Sequence, residues 1–93
     1  MPATNITTNA TTLVKSGAAF LNRIVINDVG AASNTAAVYD GIDATGKLLG
    51  TVDTVELNGR VLEYGVDCKT GITVVTATGT AGNLTVVFDQ ENR

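Results

Sequence analysis

From Leu62 to Cys68 the chain alternates without a break. Leu62, Tyr64, Val66 and Cys68 share one parity, and Glu63, Gly65 and Asp67 the other. Successive side chains of a strand point to opposite faces, so this is the pattern of a half-buried strand with one dry side and one wet side. Lys69-Thr70-Gly71 ends the run, and further strands are expected over Ile72 to Thr78 and, after Gly79-Thr80-Ala81-Gly82, over Leu84 to Asp89. Upstream, Phe20 to Asn27 is the most apolar run, and Ala36 to Tyr39 and Lys47 to Val52 read as shorter strands. Asn58-Gly59, between Val55-Glu56-Leu57 and Arg60-Val61-Leu62, is a hairpin signal because both residues tolerate positive φ. Helical spacing of apolar residues is absent, and turn signals recur about every 8–12 residues, as in sandwiches and small barrels. The pattern predicts an all-β protein, a small antiparallel two-sheet β-sandwich of jelly-roll or immunoglobulin-like type with seven or eight short strands. Residues 1–12, rich in Ala, Thr and Asn, read as an extended N-terminal arm, with a short edge strand as the alternative, and residues 13–93 as a single sandwich domain.

Parity also predicts the core. Leu62, Tyr64, Val66 and Cys68 point inward, joined by Phe20, Ile24, Ile26, Val74, Leu84, Val86 and Phe88. The strand from Phe20 is apolar on both parities, however. Leu21 and Val25 fall on the opposite side beside Arg23, and Val75 and Val87 are off-parity from Val74 and Val86. The outer side of a sandwich strand is normally polar. Leu21, Arg23, Val25, Val75 and Val87 are therefore the expected interface positions. Their expected cover is the uncharged arm of this chain or a neighbour, or an adjacent subunit, with the arm ordered only on assembly.

Composition narrows the function classes. A chain of 93 residues makes one small domain, and domains of this size commonly gain stability from metals, disulfides or self-association. Cys68 is the only cysteine and histidine is absent, so no internal disulfide forms and metal ligands are scarce. Charged residues make up only 16%, low for a surface that meets only water, which again points to oligomerisation. Net charge is −3, and the six cations, Lys15, Arg23, Lys47, Arg60, Lys69 and Arg93, form no stripe, so no nucleic-acid partner is expected. No apolar stretch is long enough to span a bilayer, and the N-terminus lacks the basic start and apolar centre of a signal peptide. The expectation is no membrane partner and synthesis in a cytoplasm.

The candidate chemical sites are weak. Gly41-Ile42-Asp43-Ala44-Thr45-Gly46-Lys47 satisfies seven positions of the phosphate-binding P-loop, but Leu48 stands where a hydroxyl should reach Mg²⁺, and a strand follows where a helix is needed. Asp40 and Asp43 share that loop, but two carboxylates fall short of the six to eight oxygens Ca²⁺ takes. Cys68 has no histidine to activate it and lies on the dry parity. Glu56 and Glu63 flank the Asn58-Gly59 turn as solvated charges. With Tyr39 and Tyr64 the only tyrosines and no tryptophan, stacking platforms for sugars are lacking. No catalytic residue, metal site or cofactor is expected.

Two stretches carry a resemblance. Ala18 to Asp53, with Leu21-Asn22-Arg23-Ile24-Val25-Ile26-Asn27 and Val38-Tyr39-Asp40, and Leu62 to Asp89, with Thr70 to Val75 and Leu84-Thr85-Val86-Val87-Phe88, resemble small tailed-bacteriophage virion proteins. The resemblance implies a β-sandwich capsid decoration or cement protein on the outer surface of the head. It would be a homotrimer bound to the major capsid protein. The alternative it implies is a tail or head-fibre component, or a receptor- or glycan-binding knob. The likeness carries over no catalytic side chain.

Overall fold

In the computed structural model, which describes residues 2–55 and 60–90, the chain forms eight strands. They are β1 (Ala3–Ile6), β2 (Thr11–Ser16), β3 (Ala19–Asp28), β4 (Thr35–Asp40), β5 (Lys47–Asp53), β6 (Val61–Cys68), β7 (Gly71–Ala77) and β8 (Asn83–Asp89). Two antiparallel sheets, ordered β1-β8-β3-β6 and β2-β7-β4-β5, enclose an apolar core. The expected all-β sandwich is the fold. The Asn58-Gly59 turn and Glu56 lie outside the described residues.

The wiring follows one rule. β1 pairs with β8, β2 with β7, β3 with β6 and β4 with β5, so the strand numbers of each pair add to nine. The chain is thus one long hairpin, strands one to four against five to eight, rolled until β8 also meets β3 and β7 meets β4. That is the jelly-roll arrangement of two interlocked Greek keys.

The stretch read as an arm is part of both sheets. Ala3–Ile6 pairs with β8, and the division at residue 12 falls inside β2, which pairs with β7. Ile6 is buried in the core. These residues lie along sheet edges and cover neither outer face. The segment is thus two edge strands of the sandwich, as the edge-strand reading expects, and not an arm set apart from it.

A bulge overturns part of the predicted core. The inward row Phe88–Leu21–Val66 is followed by the inward row Val86–Ile24–Leu62. Between them β8 advances two residues, β3 three and β6 four, with Gly65 taking the surplus on β6 at a φ of 61°. The odd step on β3 inverts its parity at Asn22. Ala19 and Leu21 point inward before it, Ile24 and Ile26 after it, and Phe20 is turned to the outer face. Bulges of this kind bend a strand and sharpen the twist of its sheet.

The remaining predicted core positions face inward as expected. Cys68, Val74, Leu84, Val86 and Phe88 are buried, and Leu62, Tyr64 and Val66 are half-buried against the core because β6 is an edge strand. Tyr64 crosses to the other sheet over Gly50, where a Cβ would stand 2.9 Å from its hydroxyl. The far end of the sandwich is tied by Asn34, which is fully buried. Its Nδ2 donates to Asn9 Oδ1 (2.7 Å) and the Thr78 carbonyl (2.8 Å), and its Oδ1 accepts from Thr54 Oγ1 (2.6 Å).

Candidate interaction surfaces

The five positions picked by parity do not form one surface. Leu21 lies between the sheets, wholly out of contact with solvent, so it cannot be touched by a partner. Arg23, Val25 and Val87 lie together on the outer face of the β1-β8-β3-β6 sheet, and Val75 lies on the outer face of the opposite sheet.

The outer face of the β1-β8-β3-β6 sheet presents three rows. They are Ala3–Val87–Arg23–Glu63, Asn5–Thr85–Val25–Val61 and Asp89–Phe20–Asp67. Four charges interrupt its apolar side chains. Arg23 Nε lies 3.5 Å from Glu63 Oε1 in an exposed ion pair, a class worth about 0–1 kcal/mol. Beside it runs a ladder of amides and a hydroxyl. Asn5 Nδ2 donates to Asn83 Oδ1 (2.6 Å), and Asn27 Nδ2 donates to Thr85 Oγ1 (2.8 Å) and Asn83 Oδ1 (3.2 Å). These amides and the hydroxyl bond to one another along the face, while Arg23 Nε makes no hydrogen bond.

The outer face of the β2-β7-β4-β5 sheet is different in kind. Its rows are Thr11–Val75–Ala37–Thr51, Leu13–Thr73–Tyr39–Leu48 and Ala77–Thr35–Asp53. Asp53, at one end of β5, is the only charge among them, and its carboxylate accepts the Val55 N–H at 2.9 Å. Leu13 and Leu48, on the two edge strands, are 49% and 53% exposed, and Ile42, in the loop leading to β5, is 54% exposed. Thr73, in the middle of the face, is sealed and donates its hydroxyl to the Gly41 carbonyl (2.8 Å). Parity within single strands found Val75 here and missed Leu13, Tyr39 and Leu48. Exposed leucines at strand positions that should be polar were the available signal.

The loop with the P-loop spacing is folded on itself. Thr45 N–H and Oγ1 both donate to Asp43 Oδ1, Gly46 N–H donates to the Asp43 carbonyl, and Gly41 N–H donates to the Gly71 carbonyl. Lys47 then opens β5, where a P-loop continues into a helix. Hydrogen bonds from the Thr45 hydroxyl and amide hold the Asp43 carboxyl below its ordinary pKa. Asp40 staples the β6–β7 turn by accepting N–H groups of Thr70 (3.0 Å), Lys69 (3.2 Å) and Gly71 (3.4 Å). Burial pushes its pKa up, but those three bonds and Lys47 outweigh it, and the carboxyl titrates below the usual range. Cys68 is fully buried, and burial, reinforced by Asp40, pushes its thiol up to about 11. Among the described residues, no three acidic, cysteine or histidine side chains gather as a metal site. No protein-family model, no curated protein and no solved structure matches the chain.

Proposed function

We propose that this chain is a non-enzymatic structural protein of a bacteriophage virion, made in the host cytoplasm and seated on the outer surface of the head as a decoration or cement protein. The observation that carries the proposal is the outer face of the β2-β7-β4-β5 sheet, with one charge in its three rows and two half-exposed leucines on its edge strands. Such a face suits a chain that works covered by protein, because apolar surface left in water favours association. The resemblance of Leu21 to Asn27 and Thr70 to Phe88 to small phage virion proteins supports the same reading. Jelly-roll wiring adds support by analogy, since capsid proteins use it, although lectins and cupins use it too.

The test is to locate the chain in purified particles by mass spectrometry and labelled antibody. The expected result is labelling over intact heads and loss of heat resistance when the protein is stripped away. Its absence from particles would overturn the proposal. Labelling confined to tails or fibres would move it to the fibre or knob alternative.

A further inference from the structure

We infer that the outer face of the β2-β7-β4-β5 sheet binds the same face of a second copy, in a two-fold pair whose axis runs parallel to the strands. The inference stands independently of the virion reading, since it concerns what two copies of this chain do in solution.

Three observations select a second copy as the occupant. The first is charge. The protein carries a net −3, so two copies repel wherever their acidic surfaces meet. The opposite outer face presents Arg23, Glu63, Asp67 and Asp89 in its rows, whereas this one presents Asp53 alone. Here two copies can meet without bringing carboxylates together. Rotation about an axis along the strands carries Asp53 from the β5 edge to the opposite side, over the partner's β2 edge, so the two Asp53 residues end up a sheet's width apart.

The second observation is the placement of the apolar side chains. Leu13 is on β2 and Leu48 on β5, the two edges of the sheet, and both lie in one row with Thr73 and Tyr39 between them. Three strand spacings separate the leucines by about 14 Å. A three-fold ring is head-to-tail and could set each β2 edge on a neighbour's β5 edge, but contact confined to the edges leaves the middle of the face, with Val75, Ala37 and Tyr39, uncovered. A face-to-face two-fold pair sets each Leu13 against the partner's Leu48 and covers both. Reciprocal contact of unlike residues is the mark of an isologous interface. The pair replaces the trimer that the resemblance implies.

The third is area. Four strands of six or seven residues make a face roughly 20 Å on each side, or about 500 Å² of accessible surface per copy and about 1,000 Å² in a pair. That sits at the lower limit of a specific interface, so the pair forms reversibly, with dissociation on the order of micromolar to tens of micromolar. Packing follows the aligned geometry of stacked sheets about 10 Å apart.

The test is sedimentation velocity on the intact chain from about 1 µM to about 1 mM, spanning the expected dissociation range. The expected result is a concentration-dependent shift from monomer to dimer. In the variant carrying Leu13→Ser and Leu48→Ser, which keeps the net charge, dimerisation should weaken at least about tenfold. At about 1 µM, where the monomer dominates, circular dichroism and the urea midpoint should stay close to those of the parent, because both leucines are half-exposed. Geometry is read separately with a short bis-maleimide, to which buried Cys68 does not respond. A mixture of Leu13→Cys and Leu48→Cys proteins should cross-link between variants, and either variant alone should not. Monomer throughout the range, a dimer indifferent to the double substitution, or cross-links only within single-variant samples would each overturn the inference.

Discussion

Replacing Leu21 and, separately, Phe20 by alanine tests the inversion of β3 at Asn22. A strand without a bulge would bury Phe20 with Ile24 and Ile26 and expose Leu21. The bulged strand buries Leu21 between Phe88 and Val66 and sets Phe20 on the outer face between Asp89 and Asp67. Leu21→Ala removes three buried carbons, about 2.4 kcal/mol of transfer free energy, and leaves a cavity between two sheets that cannot collapse freely. The total is about 3–4 kcal/mol. Phe20→Ala strips a half-buried ring from an open face and leaves no cavity, for about 1 kcal/mol. A domain of this length has a total stability of roughly 5–14 kcal/mol, so both variants are within reach of measurement. In urea, with a slope of about 1–1.5 kcal/mol per molar, Leu21→Ala should lower the midpoint by about 2–4 M and Phe20→Ala by no more than about 1 M. A larger midpoint shift from Phe20→Ala than from Leu21→Ala would refute the bulge.

Gly50→Ala should cost about 1–2 kcal/mol because its Cβ would meet the Tyr64 hydroxyl at 2.9 Å, and adding Tyr64→Phe should restore most of that loss; additive losses in a double-mutant cycle would sink the idea. Asp40→Asn should lower stability by about 1 kcal/mol at neutral pH, a figure reduced for partial exposure to solvent. Because the folded-state pKa of Asp40 is depressed, its contribution is fully present above the ordinary carboxylate range and is lost as pH falls through the folded value. Urea titrations of the two proteins should therefore converge in acid and separate by pH 5–7, and a gap that widens in acid would contradict this. Cys68 should ignore a thiol reagent at pH 8 until the protein opens, since its thiol is buried and raised to about 11; labelling of native protein at the rate of a free cysteine would disprove its burial.

Strand character was legible wherever one strand faced water on one side only. Leu62 to Cys68 alternates because β6 is an edge strand with one packed face, and the strand appears where the pattern puts it. The inversion in β3 was not legible. It arises because β8, β3 and β6 advance by different numbers of residues between the same two rows, a property of three strands that no single segment displays. The candidate interaction surface was illegible for a related reason. Leu13, Tyr39 and Leu48 come into one row only through pairings of β2, β7, β4 and β5, so local spacing can mark each leucine as out of place without showing that they share a face. Asn34 was hidden in an apparently ordinary loop, although its side chain fastens three segments.

The nine-sum pairing of strands has a consequence for how the chain acquires its structure. Of these four pairs only β4 and β5 are consecutive in the chain, and each successive pair closes a longer loop, until Asn5 reaches Asn83 across 78 residues. The loop-closure entropy of the outer pairs can be met only after the inner pairs have brought their ends near. Folding should therefore start at the β4–β5 turn and zip outward, slowly for a domain this small, as topologies dominated by distant contacts do. During synthesis β1 and β2 emerge first and pair last, since β7 and β8 must be made before either has a partner. The first strands of the chain thus spend the longest time with open edges. β1 carries alanine, threonine and asparagine with Ile6 as its one large apolar residue, and β2 follows Leu13 and Val14 with Lys15, a charge of the kind that guards an open edge.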